Sequence, residues 1–158
     1  KIDIYRSIHW PVIVLLGSMI PIGQALQSSG GAETISNILI NISYGATPVT
    51  ILTLMLIITM LLSAVLNNVA TVLVAAPISV EIAKTLAVNP DTFLMAVAIG
   101  ASCAFLTPIG HQNNTLVMGP GGYRFGDYWK LGLPLEIVIT VVSIPTLLYF
   151  WPLNSLPI

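Results

Sequence analysis

Residues 62–77 read LSAVLNNVATVLVAAP, so that Asn67 and Asn68 stand side by side in an otherwise almost wholly apolar run. Primary amides are costly in an apolar environment unless their donors and acceptors find hydrogen-bond partners. The pair therefore indicates an interruption between two helical elements. Hydrogen bonding between the helices of a packed bundle is the alternative interpretation.

The composition around this pair is that of a membrane protein. Hydrophobic residues make up 56% of the 158-residue chain, charged residues only 7%, and the formal net charge is -1. A soluble domain has about 25% charged residues, and several stretches here approach the ~20 apolar residues that cross a bilayer. We expect an all-α polytopic membrane protein, and the near-neutral charge argues against a nucleic-acid partner.

The apolar pattern divides the chain into successive helical elements. We predict a span over 10–27, an interfacial or partial helix over 32–44, a re-entrant hairpin over 48–86 with its tip at 67–68, a broken helix over 91–119, and a last span over 131–150. Two full spans on either side of the asparagines are the alternative to the hairpin. Glu136, inside the last span, is expected near the interface beside Pro134, or else in a buried pair.

A second break follows at TPIGHQNN, residues 107–114, where a proline and a glycine accompany polar side chains. Irregular backbone at membrane depth persists only where protein or a water-filled cavity satisfies it. Discontinuous helices present N–H groups to anions at one half-helix end and carbonyls to cations at the other. We expect the new half-helices to begin near Val69 and Thr115.

The side chains at the two breaks favour an anion as the ligand. No carboxylate adjoins either break, which argues against a carboxylate proton relay and against a pocket for organic cations. A monovalent cation could still be held by amide oxygens and carbonyls. His111 is interpreted as a hydrogen-bonded structural residue, with a proton carrier as the alternative.

Metal sites, cofactors and enzymatic chemistry are not expected. His111 has no cysteine or acidic partner at metal-ligand spacing. No serine or cysteine nucleophile has a base at a recognisable spacing. We therefore predict a protein without a resident metal or cofactor that is not an enzyme.

Both breaks resemble segments of a known transporter family. NNVAT at 67–71 is similar to the SNTAT-type signature at a hairpin tip of the divalent-anion:sodium symporter family. The stretch ASCAFLTPIGHQNNTLVMGPGGYRFGDYWKLG, residues 101–132, resembles the broken helix that follows in that family. It is most similar to the sulfate and anion permeases that often carry TrkA-C domains. Asn67 and Val69 depart from the signature, which has serine and threonine there.

The resemblance implies the C-terminal one of two inverted repeats, each with a re-entrant hairpin and a broken helix. In this family the substrate sits between the two hairpin tips, and sodium sits between each tip and its neighbouring break. By position, the resemblance implies substrate contacts from Asn67, Asn68, Val69, Thr71, Asn113 and Asn114. It implies sodium contacts from Leu66, Asn68, Leu106, Thr107, Gly110 and Asn114.

The function implied is sodium-coupled secondary transport of a small anion, with sulfate favoured. A proton-coupled or exchange carrier of a dicarboxylate or other oxyanion is one alternative, and a non-transporting structural module is the other. The expected partners are the anion, membrane lipid, the N-terminal repeat and a second copy in a homodimer. The expected location is the plasma membrane, as a multi-pass protein of the bacterial inner membrane.

Overall fold

The computed structural model describes residues 21, 25, 28–42 and 45–154, and every regular element in these residues is helical. The all-α fold expected from the composition is confirmed. The predicted span over 10–27 lies outside the described residues, apart from positions 21 and 25, which are both helical.

Of the first three helices, the second and third begin at side-chain caps. Helix α1 is Gly31–Ile42. Helix α2 is Pro48–Ser63, where the Thr47 side chain accepts the Thr50 N–H and Pro48 occupies the first turn, a position that needs no intrahelical N–H bond. Helix α3 is Asn68–Thr85 and is capped by Asn67.

The remaining three helices are separated by irregular segments. Helix α4 is Pro90–Ser102, helix α5 is Gln112–Met118, and helix α6 is Tyr128–Phe150. A 3-10 turn over Phe125–Asp127 leads directly into α6. The last helix therefore begins three residues before the predicted 131, because this turn continues into it.

Helix α4 forms the centre of the described bundle and packs against both α2 and α3. Its fully buried side chains include Phe93 and Val97, which lie in one core with Leu52, Leu56 and Ile82. A Cβ at Gly100 would lie 3.0 Å from the Leu56 carbonyl oxygen. Close approach of α4 to α2 thus depends on that glycine, and it brings the ends of the two helices together.

The surface of these helices is strongly apolar. Two described helices, Asn68–Thr85 and Phe125–Phe150, are long and apolar enough to cross a membrane by length and composition alone. On α6, Leu131 is 77% exposed and Tyr149 is 79% exposed. Such a surface suits lipid or further protein, as expected of a polytopic membrane protein.

Candidate functional site at two adjoining helix breaks

The break between α2 and α3 is set by a side-chain cap. The Asn67 backbone is extended, and its Oδ1 accepts the Ala70 N–H at 2.8 Å. Asparagine is among the residues best suited to this position because its short side chain reaches the free amides of the first turn. Asn68 is therefore the first helical residue, one position before the expected Val69.

The break between α4 and α5 is longer and ends at another side-chain cap. After Ser102 the chain is irregular until His111, whose ring Nδ1 accepts the Asn113 N–H at 3.2 Å. Helix α5 consequently starts at Gln112, three residues before the expected Thr115. With only seven residues, α5 is too short for us to assign an anion site to its N-terminus.

The two breaks lie against each other. The Thr107 hydroxyl donates to the Ala64 carbonyl oxygen, across 43 residues of sequence. The Ser63 hydroxyl donates to the Ala101 carbonyl oxygen at 2.6 Å. A Cβ at Gly110 would lie only 2.5 Å from the Ser63 carbonyl oxygen. The end of α2, next to the predicted hairpin tip, is thus in direct contact with the end of α4 and the broken-helix loop.

Hydrogen bonds also order the broken-helix loop internally. The Thr107 hydroxyl oxygen accepts the N–H groups of Ile109 and Gly110, at 3.2 and 3.3 Å. The Asn114 side-chain nitrogen donates to the carbonyl oxygens of Ala104, at 2.7 Å, and Thr107, at 3.2 Å. The loop has a defined shape because single side chains satisfy several of its main-chain groups.

The side-chain groups left without a hydrogen-bond partner differ between the two breaks. At the tip, the exposed Asn67 uses its oxygen as the cap, and its side-chain N–H groups make no hydrogen bond within the described residues. In the loop, Asn114 uses its nitrogen, and its oxygen has no such partner there. An N–H donor suits an anion and an amide oxygen suits a cation. The junction therefore offers a free amide donor at Asn67 and a free amide oxygen at Asn114.

The other site residues implied by the resemblance differ in their burial and in their hydrogen bonds. Asn68 is half-buried, and its Oδ1 lies 3.2 Å from the Ser63 hydroxyl oxygen. Leu66 and Val69 flank the asparagines at the tip. The exposed Asn113 contributes only its backbone N–H to the His111 cap.

The Thr71 side chain is not accessible to a substrate in this structure. It is fully buried, and its hydroxyl has no hydrogen-bond partner among the described residues. Contact with a substrate requires its neighbours to move. Leu106 lies beside Thr107 in the loop and is half-buried.

The family model for citrate transporters, CitMHS, matches residues 2–157 of the chain. The chain belongs to the citrate transporter family. Both helix breaks lie within the segment that the family model matches.

Several transporters are similar to nearly the whole chain. The "Uncharacterized transporter YfbS" of Escherichia coli is 42% identical over 149 residues, which are 92% of this chain and 24% of the relative. An uncharacterized transporter of Synechocystis is 39% identical, over 89% of this chain and 23% of the relative. "Sodium/sulfate cotransporter 1" of Chlamydomonas reinhardtii is 28% identical, over 87% of this chain and 16% of the relative. The chain thus spans about a quarter or less of the length of these relatives.

Two residues at the junction of the helix breaks were not predicted from the sequence. Ser63 joins α2 to the end of α4, and the Tyr128 hydroxyl donates to the Asn114 carbonyl oxygen at 2.6 Å. Ser63 and Tyr128 carry no local signal of these roles, because each partner is distant in sequence. Only the packing of α2, α4 and α6 reveals them.

A cavity of about 300 Å³ is bordered by the broken-helix loop, α5 and α6. Its lining is mostly apolar and aromatic, with Asn114 and Asp127 as polar members, and includes Phe105, Val117, Tyr123, Tyr128 and Leu135. No residue of the hairpin tip lines it. We therefore do not assign the substrate anion to this cavity.

Proposed function

We propose that the full-length protein is a secondary active transporter that moves a small anion, with sulfate favoured, coupled to sodium. The observation that carries the proposal is the direct contact between the two helix breaks, with a free amide donor at Asn67 and a free amide oxygen at Asn114. Paired breaks of this kind hold substrate and coupling ion in secondary transporters.

Within this proposal, the chain is the second of two inverted repeats of the divalent-anion:sodium symporter type, of the TrkA-C-bearing branch. Residues 48–86 form its re-entrant hairpin, and the rest of the protein supplies the facing repeat. Helix α2 has 16 residues, a length of about 24 Å against a hydrocarbon core of about 30 Å. The length of α2 therefore favours a hairpin, whereas the 18 residues of α3 would also allow a full span.

The anion would bind at the tip and sodium between tip and loop. Asn67 donates to the anion together with the backbone amides of Asn68 and Val69, at the positive end of the α3 dipole. The Asn114 side-chain oxygen and the carbonyls of Leu66 and Leu106 coordinate sodium. No other cofactor is proposed. The working assembly is a homodimer in the bacterial inner membrane.

The names of the relatives and the description of the family model point to different anions. Relatives at 28% identity are named sodium/sulfate cotransporters, whereas the family model is described as a citrate transporter. Citrate or another carboxylate is therefore the second candidate. A proton could replace sodium as the coupling ion in either case.

The test is uptake by the purified full-length protein in proteoliposomes. Labelled sulfate and labelled citrate are compared under an inward sodium gradient, an inward potassium gradient, and a proton gradient without sodium. We expect sulfate uptake that requires sodium. Uptake of citrate alone would overturn the substrate, uptake driven by protons without sodium would overturn the coupling ion, and no uptake of either anion would contradict the proposal.

A variant series ties that activity to the tip. Asn68→Ala should reduce sulfate uptake, whereas Asn37→Ala, which removes an exposed asparagine from α1, should not. Equal uptake by both variants and the wild type would remove Asn68 from the site.

A further inference from the structure

Helix α6 turns a narrow buried stripe toward the rest of the structure. Its buried residues are Gly132, Glu136, Ser143 and Leu147. Gly132 and Glu136 lie one helical turn apart on the same face. Both meet the irregular segment that follows α4, which contains Phe105.

Gly132 lets the main chain of that segment touch the helix. A Cβ at position 132 would lie 2.5 Å from the Phe105 carbonyl oxygen and 3.1 Å from the Leu106 nitrogen. Real Cβ atoms essentially never come as close as the first of these distances. Alanine at this position would therefore push residues 105 and 106 away from α6.

Glu136 meets the same residue from the next turn. Glu136 is 6% exposed, and the Phe105 backbone N–H points towards its carboxylate. The carboxylate oxygen Oε1 has no hydrogen-bond partner among the described residues. The ion pairs found in the described part of the chain, Lys84–Glu81 and Lys130–Asp127, do not include it.

A carboxylate inside a membrane span is costly and in most cases has a functional role. Phe105 lies between two anchors of the candidate site, because the Ala104 carbonyl receives the Asn114 amide and Thr107 bonds the hairpin tip. A shift of Phe105 would move both anchors together.

We propose that Glu136 is a positioning residue which, together with Gly132, holds Phe105 and thereby sets the geometry of the broken-helix loop at the ion site. Gly132 accommodates the Phe105 carbonyl, and Glu136 accepts its amide. The effect on transport rests on the proposed function, whereas the effect on loop order does not.

Loop order is tested by hydrogen–deuterium exchange on the full-length protein in detergent. Glu136→Leu removes the acceptor, Glu136→Gln keeps an acceptor oxygen at similar size, and Ser143→Ala alters the same buried face farther from the loop. A lost hydrogen bond to a charged group should raise exchange in peptides covering 103–107 by about tenfold. We expect this increase in Glu136→Leu and wild-type exchange in the other two variants.

Two results would overturn the proposal. Unchanged exchange in Glu136→Leu would remove the acceptor role, and equally fast exchange in Glu136→Gln would show that charge, and not the hydrogen bond, matters. If Glu136→Leu does not accumulate, Gly132→Ala gives the same test with Glu136 intact. Its exchange over 103–107 must then rise.

Transport provides the second readout. Glu136→Leu should raise the sodium concentration for half-maximal uptake, while Glu136→Gln keeps the wild-type value. A fall in maximal rate alone, with unchanged sodium dependence, would contradict a role at the ion site. If the wild type shows no sodium-dependent uptake, the proposed function fails, and the exchange measurement still decides the role of Glu136.

Discussion

Asn67 caps α3 and is proposed to bind the anion, and three substitutions distinguish the two roles. Its oxygen caps α3 through the 2.8 Å bond to the Ala70 N–H, and its free N–H groups are proposed to donate to the anion. Asn67→Ala removes both, Asn67→Ser keeps a capping oxygen, and Asn67→Asp keeps the cap while replacing the donor with a negative charge.

The expected magnitudes follow from this geometry. Loss of an N-cap costs about 1 kcal/mol, so Asn67→Ala should lower the melting temperature while the serine and aspartate variants hold it. Two unit charges about 4 Å apart repel by about 4 kcal/mol near a protein surface, and salt reduces that value. Asn67→Asp should therefore raise the half-saturating anion concentration by at least about tenfold, or about 1.4 kcal/mol.

The assays are thermal melting of the full-length protein and concentration-dependent uptake in proteoliposomes. Asn37→Ala on α1 is the matched control for both. An Asn67→Asp variant that takes up the anion with wild-type half-saturation would refute the donor role. An Asn67→Ala variant that melts with the wild type would refute the cap.

Substitutions at Gly110, Thr107 and Asn114 probe the contact between the breaks and the order of the broken-helix loop. Gly110→Ala places a Cβ 2.5 Å from the Ser63 carbonyl oxygen and should cost about 1–3 kcal/mol of stability through overpacking. The control Gly119→Ala, with open space around it, should melt at the wild-type temperature. Equal melting temperatures of the two variants would count against the close contact. Thr107→Val should lower the melting temperature by leaving main-chain groups unpaired, at about 1–3 kcal/mol, whereas Thr107→Ser keeps the hydroxyl; a valine variant as stable as the serine variant would contradict this. Asn114→Asp turns a carboxylate toward two carbonyl oxygens, so the variant should melt at a lower temperature than the wild type. That difference in melting temperature should shrink as the pH falls and the carboxylate is protonated. A difference independent of pH would argue against the observed amide orientation.

Helix starts could be predicted where the signal is local. Pro48 and Pro90 each occupy a helical first turn, and the asparagine pair marks the start of α3. Such signals act within one turn, because the cap and the amides it satisfies are near neighbours in sequence. The start of α5 was predicted three residues late, because a histidine ring serves as its cap.

An all-α apolar chain with two polar interruptions could be predicted from the residues alone, since composition, proline positions and asparagine caps are properties of short segments. Three features required the folded structure: the interruptions touch, Thr71 is buried, and α6 meets Phe105 through Gly132 and Glu136. These contacts join residues far apart in the chain. They depend on how closely the helices approach, which no local pattern records.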